Sequence, residues 1–214
     1  MSDVITREIE EKDSSALKSL IVEAFGEGWN LGRFNHGDVS FQALLEVYLS
    51  MFLNSAAFGR VAMVNGEVVG AILCSAKGEP EKFRWLQKDR AAYTLALLTM
   101  PEDGRKDIAE HLSTSFQAIG RLLENGSDAY DGSLEFIAVS KRAQGLKIGG
   151  TLWDEARVYF DSKNVKSIYL IADSSCNVGF YDHNGFIKTG VEEAVYNYTT
   201  GQKRFDIFVY EYKL

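Results

Sequence analysis

Phe136-Ile137-Ala138-Val139-Ser140-Lys141-Arg142-Ala143-Gln144-Gly145-Leu146-Lys147-Ile148-Gly149-Gly150-Thr151-Leu152 ends a strand and opens a helix. Such a junction gathers anions. Unpaired N–H groups of the loop and first helical turn converge, glycines permit close approach, and the helix dipole adds partial positive charge to that of Lys141, Arg142 and Lys147. The loop is not a Walker A motif, since no Gly-Lys-Ser/Thr closes it, nor the Gly-x-Gly-x-x-Gly of dinucleotide folds. A tight turn that needs glycine explains the same residues, so the loop alone leaves both readings open.

Outward from it, Leu134 to Val139 reads as strand, Gly149 to about Asp161 as helix and Ser167 to Ala172 as strand, a β-turn-α-β unit. A short helix carrying Phe180 and Tyr181 follows, then strands near Phe186 to Thr189 and from Phe205 to Tyr212. Upstream, Val4 to Ile9 reads as strand. Asp13 or Ser14 caps a helix whose buried stripe is Leu17, Leu20, Ile21 and Ala24. A second helix starts near Asp38 with Phe41, Leu44, Leu45, Tyr48, Met51 and Phe52 inward. Asn65-Gly66 between two apolar runs is a hairpin signal. Pro80 marks the start of one further helix, and Thr99-x-x-Glu102 beside Pro101 is a capping box for another. Its buried stripe is expected to be Ile108, Leu112, Phe116, Ile119 and Leu123, with Asn125-Gly126 ending it.

The composition narrows the class. With 214 residues, 46% of them apolar, 12% aromatic and 25% charged, the sequence packs a core, and residues 1–214 are expected to form one domain. Lys and Arg number 23 against 30 Asp and Glu, a net charge of −7, so no overall positive field collects nucleic acid or an anionic membrane surface. Cys74 and Cys176 make no disulfide framework, and His36, His111 and His183 lack metal-ligand spacing, so no metal is expected. The charged N-terminus and the lack of a long apolar run point to a cytoplasmic protein.

Cys176-Asn177-Val178-Gly179-Phe180-Tyr181-Asp182-His183-Asn184-Gly185-Phe186 resembles the closing motif of the GCN5-related N-acetyltransferase (GNAT) superfamily, a short helix with an aromatic-Tyr pair ending in Gly-Phe. Gln144-Gly145-x-x-x-Gly149-Gly150 resembles that family's acyl-CoA pyrophosphate loop. The order and separation of the two motifs match the family from about Leu134 to Phe186. The resemblance implies an α/β (α+β) fold: a mixed, mostly antiparallel twisted sheet flanked by helices. Two departures stand out. Lys147 occupies a loop position commonly glycine, and residues 78–131 insert two helices between the third and fourth strands, beside the acceptor side of the cleft or as an oligomer surface such as a homodimer's.

The resemblance further implies acetyl-CoA as cosubstrate and an amine of a small molecule or peptide as acceptor, acylated by direct attack on the thioester. Tyr181 would protonate the leaving thiolate. The backbone of Ile137 and Val139 would hold the pantetheine arm, with Asn177, on the same helical face as Tyr181, binding it or orienting that end of the cofactor. Gln144, Gly145, Leu146, Lys147, Ile148, Gly149 and Gly150 would form the pyrophosphate loop. Glu135 reads either as a base acting through water or as a solvated strand residue, and Tyr181 without the motif reads as packing. Cys176, lacking a His/Asn partner pattern, reads as a small buried hydrophobe. Phe25, Trp29, Phe34 and Tyr48 read as core or as acceptor-pocket wall. The alternative function is a catalytically silent acyl-CoA-binding or regulatory module with the same fold.

Overall fold

Hydrophobic periodicity in this chain resolves into thirteen regular elements in the computed structural model, which describes residues 4–83, 85, 90–124 and 127–214. They are β1 Val4–Glu8, α1 Ser14–Phe25, α2 Val39–Leu53, β2 Phe58–Val64, β3 Glu67–Ala76, α3 Arg90–Leu98, α4 Glu102–Leu122, β4 Gly132–Val139, α5 Ile148–Ser162, β5 Ser167–Asp173, α6 Val178–His183, β6 Ile187–Tyr198 and β7 Gly201–Lys213. The strands form one sheet in the order β1-β2-β3-β4-β5-β7-β6. Every neighbouring pair is antiparallel except β4–β5. This is the mixed, mostly antiparallel sheet expected, with α3 and α4 inserted between the third and fourth strands.

Helices cover both faces because each strand buries alternate residues on opposite sides. On one face Leu17, Ile21, Leu44 and Leu49 of α1 and α2 pack on Val61, Ala71 and Leu73. On the other, Leu152, Trp153, Ala156 and Phe160 of α5 pack on Ile72, Ile168, Leu170 and Tyr210. Each such fully buried large side chain contributes about 1.5–3 kcal/mol relative to exposure. Gly70 lets α5 dock: a Cβ there would lie 2.9 Å from Ile148 Cγ2 and 3.3 Å from the Ala138 carbonyl oxygen. Asn65 and Gly66, at φ 52° and 83°, make the β2–β3 turn the sequence signalled.

A third layer is held differently. Helix α4 lies along β6 and is tied to it by polar rungs that run in opposite chain directions. Thr199 N–H donates to Asp107 at 2.6 Å, and Asn197 N–H to Glu110 at 2.7 Å. His111 Nδ1 and the Tyr198 hydroxyl lie 2.9 Å apart, and the Ser115 and Tyr196 hydroxyls 3.0 Å. Arg121 Nε donates to Glu192 at 2.6 Å. From the α1–α2 segment, Arg33 pairs with Asp107 and, at 2.6 Å, with Asp103.

Several sequence expectations shift. Pro80 lies in irregular chain rather than at a helix start, and residues 81–83 after it are irregular too. The Thr99–Glu102 capping box does not form: Pro101 is the N-cap of α4 without a side-chain cap, and the Thr99 hydroxyl turns back to the Ala96 carbonyl at 2.7 Å. The proposed helix stop at Asn125-Gly126 lies outside the described residues. The strand read at Phe186 to Thr189 continues to Tyr198, since pairing with β7 overrides its polar, exposed composition.

The Arg33–Asp107 pair makes a test. Asp107 is buried and its partner is mostly so, and removing one member of such a pair strands the other charge. Here Arg33 keeps Asp103 and Thr199 as partners while the Thr199 N–H loses its acceptor, so Asp107→Ala is expected to lower stability by about 1–3 kcal/mol in urea unfolding. A loss below about 0.5 kcal/mol, the scale of an ordinary surface substitution, would show that α4 is anchored by other means.

Candidate active site

Strands β4 and β5 pair in parallel only at Gly132↔Ile168 and Ser133↔Tyr169, although both continue well beyond. Where they part, β4 carries an irregularity. Leu73 opposes Phe136 and Cys74 opposes Leu134, which leaves Glu135 as the extra residue of a bulge. The bulge resets side-chain parity. Phe136 joins the α1–α2 cluster and Leu134 the α5 cluster, while Glu135 turns into the opening.

Two cavities meet in the splay. The wider, about 580 Å³, runs between α1 and the loop after β4 and touches Ile137, Val139, Gln144, Gly149, Asn177 and Tyr181. The narrower, about 290 Å³, reaches under α4 and touches Glu135, Ile137, His111, Tyr169, Asp173 and Tyr181. Phe25, Ile137, Cys176 and Tyr181 line both.

The loop entering α5 is a cradle of free amides. The N–H groups of Gly145, Lys147, Ile148, Gly149 and Gly150 donate to no backbone acceptor among the described residues, as the start of a helix requires. Gly145 and Lys147 have φ of 83° and 57°, which aims successive amides to one side. Gly149 is glycine for space: a Cβ would sit 3.0 Å from the Phe180 ring. The Ile148 side chain is buried beneath α5, so only its N–H faces the loop. Gly145, Leu146, Lys147 and Gly150 lie in this cradle outside both cavity walls. The Arg142 guanidinium is taken by Glu67 at 2.6 Å and adds no free charge there.

Asn177 precedes α6 as its N-cap instead of riding on the helical face of Tyr181, because the helix starts only at Val178. The Tyr181 ring packs 5.4 Å from that of Tyr210 and 5.7 Å from that of Phe186. Its hydroxyl bonds no described residue. Burial first, then Cys176 and Asp173, push its pKa well above the usual tyrosine value, so at neutral pH it holds its proton and has one to donate. Burial and Asp173 likewise raise the Cys176 thiol to about 12, which makes it a poor nucleophile.

Sequence reasoning missed part of the site. Leu112, Phe116, Ile119 and Leu123, read as a buried stripe, face the narrow cavity, and Phe116 is 55% exposed. Ala24 and Met51, read as inward, are exposed at the wide and narrow cavities respectively. Phe25, Trp29 and Tyr48 line the narrow cavity while packing on the core; Phe34 does not line it. Asp173 and Tyr169 gave no motif, though a carboxylate at the C-terminal end of a strand is a signal for such a place. Glu23 was also unread: its carboxylate accepts the Ser140 hydroxyl at 2.9 Å and the Lys141 N–H at 3.1 Å, clamping α1 to the end of β4.

The site is thus a mixed sheet opened between two parallel strands, with an amide cradle beside one cavity and a second, apolar cavity on the other side. A model of the acetyltransferase (GNAT) domain matches residues 118–200, from the end of α4 to the β6–β7 turn. The matched stretch contains both motifs read from the sequence, Gln144 to Gly150 and Cys176 to Phe186. No curated protein sequence matches it. Among solved structures, the ribosomal-protein-S18-alanine N-acetyltransferase of Escherichia coli is similar at 13% identity and TM-score 0.55, over 99% of this chain and 94% of that one. Agmatine N-acetyltransferase is similar at 12% and 0.55, over 99% and 100%. A GNAT family acetyltransferase from Elizabethkingia anophelis with acetyl-CoA bound is similar at 12% and 0.53, over 100% of both chains. At these identities the likeness is one of fold. No described helix is long and apolar enough to cross a membrane.

Lys147 is a testable departure. A non-glycine residue in the left-handed region carries about 1–2 kcal/mol of strain, while glycine adds about 0.5–1 kcal/mol of unfolded-chain freedom. Lys147→Gly is therefore expected to leave stability unchanged or raise it by up to about 1 kcal/mol in urea unfolding. A loss above 1 kcal/mol would mean that the lysine side chain itself holds the loop.

Proposed function

We propose that this chain is an acetyl-CoA-dependent N-acetyltransferase acting on the amine of a small molecule or peptide by direct attack on the thioester, with residues 1–214 working as one domain. The observation that carries the reading is the position of Tyr181 at the junction of the two cavities, where the β4 edge is open. The five free amides suit a pyrophosphate, and the wide cavity running along Ile137 and Val139 suits a pantetheine arm.

Bound acetyl-CoA supplies an activated acetyl group on sulfur. In this reading Gln144 and the amides of Gly145 to Gly150 hold its phosphates, with Lys147 adding charge. Ile137 and Val139 offer backbone partners to the arm, and Asn177 fixes that end of it. A backbone N–H near Val139 stabilises negative charge on the acetyl oxygen, a contact worth about 3 kcal/mol. Glu135, on the acceptor side, takes the amine's proton through water. Tyr181, kept protonated by burial, gives its proton to the departing sulfur, help worth roughly 10²–10⁴ in rate.

Acetyl-CoA is expected to raise the melting temperature through linkage, by about 2.7 kcal/mol of stability at a hundredfold excess over Kd, and pantetheine lacking the phosphates much less. No shift at millimolar acetyl-CoA, in protein freed of CoA, would overturn the reading.

Tyr181→Phe keeps the ring packed and removes the hydroxyl. It is expected to lower kcat by roughly 10- to 10³-fold with little change in acetyl-CoA affinity. Unchanged turnover in a chemistry-limited assay would return Tyr181 to packing, and thermal stabilisation without turnover on any amine would favour a silent acyl-CoA-binding module.

A further inference from the structure

The narrow cavity has a chemistry of its own. Its walls are mostly apolar, part aliphatic and part aromatic, with Trp29, Tyr48, Phe52 and Tyr196 among the rings, and no Lys or Arg among the described residues lines it. Two carboxylates do, Glu135 and Asp173. Glu135 Oε1 accepts the Ser133 hydroxyl, and Asp173 Oδ1 accepts the Ser175 N–H at 2.8 Å. Neither carboxylate meets a cation among the described residues, and the second oxygen of each accepts no bond from them. His111 does not offset this charge: burial holds its pKa down to about 4, so it is neutral at physiological pH. A partly desolvated cavity with two negative charges and electron-rich ring faces favours a cation with an apolar body.

Its dimensions suit a small molecule better than an extended chain. At about 290 Å³ it lies at the small end of the roughly 300–1,000 Å³ spanned by small-molecule sites. The flank between the α1–α2 segment and the β6–β7 turn is bridged. Arg33 Nη1 donates to Thr199 Oγ1 at 2.9 Å, Lys203 Nζ to the Glu27 carbonyl at 3.2 Å and Asn30 Nδ2 to Thr200 Oγ1 at 3.5 Å. A polypeptide entering there would have to break these bonds, and α4 lies across the remaining approach.

We infer that the acceptor is a small primary amine whose apolar, ring-sized body fills the aromatic cavity under α4 while Glu135 and Asp173 receive its ammonium. The inference rests on the acetyltransferase reading and names its substrate class. The ammonium first loses a proton to solvent by way of Glu135. The free amine then forms the C–N bond as the C–S bond breaks, Tyr181 gives its proton to the departing sulfur so that it leaves as the thiol, and the second amine proton restores Tyr181. The balance is R–NH₃⁺ and acetyl thioester giving acetamide, thiol and one proton.

Phenethylamine and tryptamine, phenethyl alcohol as the uncharged control, spermidine and an alanine-initiated peptide make the test, each titrated by calorimetry into the CoA-loaded protein and assayed for thiol release with acetyl-CoA. Phenethylamine and tryptamine are expected to bind, the alcohol at least tenfold more weakly, and both amines to exceed spermidine and the peptide at least tenfold in kcat/KM. Asp173→Asn keeps the bond from Ser175, and it is expected to weaken phenethylamine binding about tenfold while leaving tight acetyl-CoA binding in place. Preference for spermidine or the peptide, or equal binding of amine and alcohol, would overturn the substrate class and leave the acetyltransferase standing. Amine binding that is lost in Asp173→Asn, without thiol release, would support the cavity assignment and overturn the acetyltransferase. If Asp173→Asn fails to fold, Glu135→Gln carries the same comparison.

Discussion

Two central strands that pair for two rungs and then diverge leave a row of backbone donors and acceptors without partners in the middle of a sheet. Inside a folded protein such groups must meet water or a ligand, since each left unpaired loses roughly the worth of a hydrogen bond. Much of the remaining architecture accommodates that gap. The Glu135 bulge relieves the twist where pairing stops, α1 is clamped to the end of β4 by Glu23, and β5 keeps its order by pairing along its full length with β7. The strand edge that results is stiff on its outer sides and open on its inner one, the condition for holding an extended polar ligand.

The gap also decides what each flanking element does. Helix α5 places its amide-rich start beside one mouth because Gly70 lets it sit close to the sheet, and α6 brings Tyr181 to the centre because Gly149 makes room for the neighbouring Phe180 ring. One phenol, packed on three sides and free at its hydroxyl, thus reaches both cavities. Its burial and its neighbours keep it protonated, so packing by the ring leaves the hydroxyl available for the chemical role proposed for it.

What the sequence made legible was local chemistry. The Asn65-Gly66 turn, the amide cradle and the α6 motif each have a short-range physical cause, and each stands where it was read. What it hid depended on distant partners. The apolar residues of α4 have the spacing of a core stripe, and spacing cannot say whether the facing surface is protein or empty space. Asp173 and Tyr169 come to the cavity from β5 and Tyr196 from β6, strands whose relative placement no single segment contains. The length of β6 was hidden for a related reason, its second half being strand only because β7 lies beside it.

The rungs joining α4 to β6 carry a consequence for the dynamics of the domain. Few side chains of α4 are fully buried, Ala118 the main apolar one, so the helix is held chiefly by hydrogen bonds and ion pairs. Each of these returns to water at a net loss of only about 1 kcal/mol, far less than exposing a packed leucine or phenylalanine. The wall over the narrow cavity is therefore expected to open at a lower free energy than the packed sheet beneath it. Amide exchange along α4 should outpace that in α5, and a molecule seated beneath it, supplying the carbon contacts that the protein lacks there, would slow it.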